Sequence, residues 1–396
     1  MVKFQSKILT RTILLVSFVS LFTDIASEML YPVMPVYLKS IGFSVLLIGI
    51  LEGVAEATAG LSKGYFGNLS DVRKKRVPFV RAGYIMSAIS KPLMAIFTVP
   101  VWIFFVRTLD RFGKGVRTSA RDAMLSDETT PEHKGKVFGF HRSLDTVGAA
   151  IGPIIALIFL WFYPGQYKWM FFLAFFPGVV AIGLTFLLKD KVTESQSHLA
   201  ISRSSVGFFS YFKYWGKASQ EFRFLVAGLL AFTLFNSSDA FLLLALKEHN
   251  LSDTMMIGVY IFYNLVYALF SYPIGSLADK IGLKTMLIAG LFLFAFVYTG
   301  IGFASSLATF GILFFLYGLY AACTEGISKA LISNMASKTD TATAIGFYNS
   351  MASIFTLLAS SMAGVLWYTI GSRAMFMIAG IGVFFVTIYL ITIFKK

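Results

Sequence analysis

An all-α membrane fold of twelve spanning helices is predicted by three observations: too little charge for a soluble surface, repeated apolar stretches of spanning length, and loops that alternate in basic content. Of the 396 residues, 57% are hydrophobic and only 14% are charged, against about 25% charged in a soluble domain. The mean hydropathy is +0.75. So few polar residues cannot cover a soluble protein of this size. A spanning helix needs about 20 mostly apolar residues. Such stretches run over 11–38, 44–69, 77–97, 99–126, 135–162, 168–188, 222–247, 253–277, 284–303, 306–335, 342–369 and 373–394. Several exceed the minimum, which tilt or extension beyond the bilayer absorbs.

The loops set the orientation. One set carries Lys3, Lys7 and Arg11, then Arg73 to Arg76, Lys134 and Lys136, Lys189 to Lys217, Lys280 and Lys284, Lys338, Lys395 and Lys396; the other carries little beyond Lys39, Lys168, Lys247 and Arg373. Basic loops stay cytoplasmic, so both termini are expected inside a bacterial inner (plasma) membrane. The net charge of +14 belongs to those loops and does not imply a nucleic-acid partner. The basic N-terminus is followed by an apolar stretch too long for a signal-peptide core. Cys323 is alone, which excludes a disulfide framework, and the four histidines (133, 141, 198, 249) have no ligand spacing. No metal set, cofactor motif or Ser-His-Asp spacing appears, so an enzyme is not expected and neither is a cofactor. The longest connector, 189–221, separates two blocks of six spans. Its polar first part is followed by Phe208 to Lys217, aromatics mixed with Lys, which suits a helix lying on the inner leaflet.

Charge inside the apolar stretches marks the candidate site. Asp24 and Glu28 in the first span, and Glu52 and Glu56 in the second, are each spaced i, i+4 and share a helix face. Ionised groups at membrane depth are expensive, so they face a cavity or a partner. The fourth span is the most charged, with Arg107, Asp110, Arg111, Lys114, Arg117, Arg121 and Asp122. At about 1.5 Å rise per residue, Asp24 and Arg107 lie at similar depth in a core about 30 Å thick, so Asp24 is expected to face Arg107, Asp110 or Arg111. Asp110 can also pair within its helix, with Arg107 or Lys114. Arg142 and Asp145 share a face of the fifth span, as a gate salt bridge or a substrate contact. The second half is thinner in charge: Asp239, an i, i+4 pair of Glu325 and Lys329, and the neutral groups Asn236, Tyr263, Asn264, Tyr267, Tyr348 and Asn349.

Two motifs carry a resemblance. Gly67-Asn-Leu-Ser-Asp71 recurs as Gly275-Ser-Leu-Ala-Asp279, each after the second span of its block and each followed by basic residues, Arg73 among them. The fifth span carries Gly139, Gly148, Gly152 and Pro153, a small-residue face ending in a bend. On these residues the chain resembles the major facilitator superfamily, and within it the proton antiporters that export drugs. The first turn departs from the family pattern at Val72 and Lys74, and the glycine motif lacks the closing Gly-Gly, with Ala156 and Leu157 there. The resemblance implies two pseudo-symmetric six-helix bundles, 1–189 and 222–396, joined by a cytoplasmic linker, 190–221. It also implies rocking alternating access by a single chain, with Gly67, Asp71, Arg73, Gly139, Gly148, Gly152, Pro153, Gly275 and Asp279 in gating and conformational roles.

The expected function is therefore proton-coupled efflux of a small amphipathic or organic molecule. Asp24, Glu28 and Glu56 are the proton carriers. Arg107, Asp110, Arg111, Glu52, Arg142, Asp145, Asn236, Asp239, Tyr263, Asn264, Tyr348 and Asn349 line the substrate site. Two alternatives stay open: proton- or sodium-coupled transport of an anionic metabolite or metal-chelating organic acid on the fourth-span arginines, and a lipid flippase.

Overall fold

The computed structural model describes residues 8–31, 33–190, 207–249 and 253–395. Lys3 and Lys7, and nearly all of the polar first part of the connector, lie outside them. The helices are α1 (Arg11–Glu28), α2 (Met34–Ser40), α3 (Val45–Val72), α4 (Val77–Ile96), α5 (Pro100–Asp127), α6 (Lys134–Phe162), α7 (Tyr167–Thr185), α8 (Lys213–Lys217), α9 (Gln220–Phe235), α10 (Asp239–Glu248), α11 (Asp253–Ile281), α12 (Leu283–Ile301), α13 (Leu307–Met335), α14 (Thr341–Ile370) and α15 (Ser372–Phe394). Ten of the expected spans are single helices. The first divides into α1 and α2, and the seventh into α9 and α10.

Among the described residues, eight helical stretches are long and apolar enough to cross a membrane, and all of them start at or after residue 131. The helices before them carry the charge: α5 alone contains Arg107, Asp110, Arg111, Lys114, Arg117, Arg121, Asp122 and Asp127. Pro92, Pro153, Pro177 and Pro273 sit inside α4, α6, α7 and α11, where each removes a backbone donor and bends its helix.

The chain forms two compact units that interleave in sequence. The first comprises 1–129, 148–218 and 336–350; the second comprises 130–147, 219–335 and 351–396. Hence α6 and α14 each give one segment to either unit. In the first unit α5 packs against both α3 and α4, and α7 against α1 and α4. Tyr37, Leu38, Met94, Val106 and Phe171 are buried in its core. Two glycines bring α4 and α5 together at backbone distance: a Cβ on Gly113 would lie 2.7 Å from the Gly83 carbonyl oxygen. In the second unit α13 packs against α11 and α12, and α15 against α12 and α9.

The expected surface helix of the connector is shorter than its aromatic pattern implied. It is a single 3-10 turn, Ser210–Phe212, followed by the five residues of α8. Aromatic contacts hold it: Phe208 stacks on Tyr65 at 5.2 Å and Trp215 on Phe347 at 5.7 Å, with Tyr211 fully buried. The Tyr214 hydroxyl is pushed up to about 12 by burial and by the nearby charges of Asp340 and Asp71, and so stays neutral.

Candidate functional site

In the first unit α3 and α5 meet through a ladder of ion pairs. Arg107 binds Glu52 with two parallel bonds, Nε to Oε1 at 2.8 Å and Nη2 to Oε2 at 2.9 Å. One helical turn further, Arg111 Nε lies 3.2 Å from Glu56 Oε1, an ion pair without hydrogen-bond alignment. The i, i+4 spacing on both helices makes the two rungs register. The rungs are lopsided: the arginine side chains are 8% and 12% exposed, the glutamates 33% and 55%.

Behind the first rung, Asp110 closes a buried network. Its carboxylate accepts from Ser87 Oγ at 2.6 Å and Lys91 Nζ at 3.2 Å, and Arg107 Nη1 lies 3.4 Å away. Lys91 also donates to the Ser87 carbonyl at 2.9 Å. Asp110 thus pairs within its own helix to Arg107, as expected, and to α4 through a lysine that was not assigned a role. Lower on α5, Arg121 binds Asp122 and Ser20, and Arg117 stacks on Tyr84 with its Nε and Nη1 buried and unbonded among the described residues.

Asp24 and Glu28 are half-buried on α1. Gly148 and Gly152 of α6 pack on this stretch: a Cβ on Gly148 would lie 3.0 Å from Asp24 Cβ, and one on Gly152 2.7 Å from the Met29 amide. Pro153 follows directly, inside the helix. The charges of Asp24, Glu28 and Glu56 all act on Lys114. Arg107 and Arg111 pair with Glu52 and Glu56 of α3, Asp110 of α5 also pairs with Arg107, and the charge of Glu28 on α1 acts on Arg111 as well.

The second unit holds two polar clusters. In one, Arg142 binds Asp145 at 2.7 Å, Glu325 at 3.2 Å and the Tyr267 hydroxyl at 2.5 Å. Glu325, expected beside Lys329, is thus bridged to α6. In the other, Asp239 accepts from Tyr263 at 2.6 Å and Tyr317 at 2.7 Å. Asn236 donates to the Tyr320 hydroxyl at 3.1 Å, and Asn264, buried, donates to the Tyr260 carbonyl at 3.0 Å. Tyr348 and Asn349 fall in the α14 segment of the first unit.

The repeated turns do the same thing twice. In the first unit Asp71 accepts from the amides of Ala342 and Thr343, at 3.4 and 2.6 Å, and from Thr343 Oγ1 at 2.7 Å. In the second, Asp279 accepts from the amides of Gly135 and Lys136, at 2.8 and 2.9 Å. Each carboxylate therefore caps the first turn of another helix, α14 or α6, where unpaired amides and the helix dipole favour negative charge. Gly67 lets α3 approach the Ala342 carbonyl, and Gly275 and Gly139 let α11 and α6 touch. The basic residue on Asp71 is Arg76; Arg73 is exposed. Sequence spacing could not find Arg76, because it lies beyond the turn that ends α3.

Lys91, Ser87, Tyr317, Tyr298, Tyr320 and Arg76 were the functional-looking residues that the sequence left unmarked. Neutral tyrosines in an apolar span carry no signal until a buried acid is seen beside them.

Among the described residues the chain is built of helices, eight stretches of them long and apolar enough to cross a membrane, with ion pairs held inside, the make-up of a polytopic membrane protein. The Major Facilitator Superfamily model matches residues 16–262 and 224–396, and the chain belongs to that family. It is 32% identical over 365 residues to an uncharacterised MFS-type transporter of Methanocaldococcus jannaschii, covering 91% of this chain and 89% of the relative. It is 24% identical over 176 residues to a citrate exporter of Aspergillus niger, covering 44% of this chain and 33% of that protein. Among solved structures it is similar to the human organic anion transporter MFSD10, with a TM-score of 0.79 at 16% identity over 96% of this chain and 99% of the other.

Proposed function

We propose that the protein transports a small organic anion bearing two or more carboxylates together with protons. The observation that carries this reading is the lopsided ladder. Two arginines one turn apart, about 6 Å, are buried, while the glutamates that neutralise them are the exposed partners. A polycarboxylate whose groups match that spacing can replace the glutamates rung for rung, keeping each guanidinium paired in its fork-like geometry. The displaced Glu52 and Glu56 then lose their cations, and protons taken up with the anion keep the site in charge balance. Release of the anion reverses the exchange. Asp24 and Glu28, acting on Lys114, serve as further proton acceptors. The likeness to a citrate exporter and to an organic anion transporter supports this substrate class over amphipathic drugs.

The capping carboxylates Asp71 and Asp279 brace one conformation of two bundles, 1–189 and 222–396, and break when the cycle turns over. The chain works as a monomer in an inner membrane, with both termini cytoplasmic.

Citrate uptake into proteoliposomes under an imposed pH gradient tests the proposal. Arg111→Gln is expected to abolish citrate transport, and Glu56→Gln to abolish the pH-driven component while citrate-for-citrate exchange persists. Wild-type protein that moves an amphipathic cation but no polycarboxylate overturns the anion reading.

A further inference from the structure

The acid in the second unit is held in a different way. Helix α9 ends at Phe235 and α10 starts at Asp239, so the seventh span is interrupted at residues 236–238. A break inside a spanning segment frees backbone carbonyls and is tolerated where the exposed backbone lines a site. Asp239 stands in the first turn of α10, where Ser238 caps the helix. Around it the groups are α11 Tyr263, α12 Tyr298, and α13 Tyr317, Tyr320 and Glu325. The positive charge nearest in the network, Arg142, is already bound to Asp145 and Glu325. Among the described residues no Lys or Arg makes an ion pair with Asp239; its bonds are to two hydroxyls.

Three further polar oxygens lie at or beside the break. Asn236 Oδ1, Ser237 Oγ and Tyr298 OH are buried without a hydrogen bond of good geometry, although the Tyr298 hydroxyl faces Ser237 and Tyr317. Ser237 is 6% exposed and Tyr298 0%. Buried oxygens left unpaired are costly. Here Asn236 and Ser237 immediately precede, and Tyr298 lies near, an acid that lacks a counter-charge, at a helix end whose carbonyls carry partial negative charge. Every one of these features is met by one small positive charge.

We propose that this break is a monovalent-cation site, with Asp239 as the charged ligand and Asn236, Ser237 and Tyr298 as neutral oxygen ligands, occupied once per transport cycle by a proton or a sodium ion. The dipole at the start of α10 and the two tyrosine hydroxyls hold the carboxylate when the cation leaves. The site shares no residue with the ladder of the first unit, so the chain has a cation-coupling group that does not compete with the anion for arginines. The proposal rests on the transporter class and not on the identity of the organic anion.

Purified wild-type protein and Asp239→Asn, both checked for monodispersity, are compared in two assays that use no organic substrate. Binding of radioactive sodium is measured across a series of buffers from acid to alkaline. Infrared difference spectra over the same range report a protonated carboxyl. Saturable sodium binding that is lost in Asp239→Asn assigns the site to sodium; a carboxyl band that vanishes in Asp239→Asn, with no sodium binding, assigns it to a proton. Ser237→Ala is expected to weaken sodium binding about tenfold in the first case and to leave the carboxyl band in place in the second. Wild-type protein with neither signal, or signals unchanged in Asp239→Asn, overturns the proposal. Citrate transport can fail in either outcome without touching this result.

Discussion

Asp110 and Asp239 are both acids inside spanning helices, and both accept hydrogen bonds from neighbouring side chains, yet their partners differ in kind. Asp110 is bonded by Ser87 and Lys91 and paired with Arg107. Asp239 is bonded by two tyrosine hydroxyls. Fixed cations make the first carboxylate a permanent part of a charge-balanced structure. Hydroxyls solvate the second without neutralising it. The difference separates acids that hold a transporter together from acids that can be loaded and unloaded.

The comparison breaks most visibly when one charge is removed from each. Asp110→Asn leaves Lys91 buried without its carboxylate and Arg107 with Glu52 as its remaining ion-pair partner. Truncating one partner of a buried ion pair costs about 3–5 kcal/mol, so the variant is expected to unfold far below wild type in a detergent thermal melt. Adding Lys91→Met should recover much of that loss, because it removes the stranded charge. Asp239→Asn should cost only about 1 kcal/mol, since Asn still offers its carbonyl to one tyrosine. Equal losses at the two positions would mean that the distinction between them is false.

A second, smaller effect tests what positions the ladder. Gly113→Ala places a methyl group against the Gly83 carbonyl and the Ser87 amide, 2.7 and 3.1 Å away. Backbone cannot give way as a side chain does, so overpacking of about 1–3 kcal/mol is expected. The helices must part, and Ser87 and Lys91 then move away from Asp110. Suppression of citrate transport at wild-type expression would tie the ladder to that contact; full transport would show the ladder tolerates the shift.

Much of this arrangement was legible from residue spacing. Periodic apolar stretches gave the helices, and the i, i+4 spacing of Glu52 and Glu56 gave one side of the ladder, while the arginines stood out only by their charge in the fourth span. The partner assignment was not legible. Depth arithmetic put Asp24 level with Arg107, but depth says nothing about azimuth, and α3 is the helix that packs closely on α5 through Gly115 and Ala59. The break at 236–238 was also hidden. Asn236, Ser237 and Ser238 sit in an otherwise apolar run, and neither Gly nor Pro marks the interruption. The surface helix was overread because aromatic and basic residues suit an interfacial helix and a short aromatic plug equally well.

The smallest expected effect separates the two repeated turns. Asp71 and Asp279 both cap a helix, which is worth about 0.5–2 kcal/mol. Asp71 has two partners that Asp279 lacks in kind: the Thr343 hydroxyl and the Arg76 guanidinium. Asp279 relies on the two amides of Gly135 and Lys136. Asn keeps a carbonyl for one amide in either case but loses the charge that the helix dipole and Arg76 favour. Asp71→Asn should therefore lower the thermal midpoint more than Asp279→Asn, and adding Arg76→Gln should cost little beyond Asp71→Asn alone, because the pair couples. Additive losses, or a larger loss at Asp279, would show that the two turns are not the same device with one extra cation, and the sequence repeat would then be a likeness of letters only.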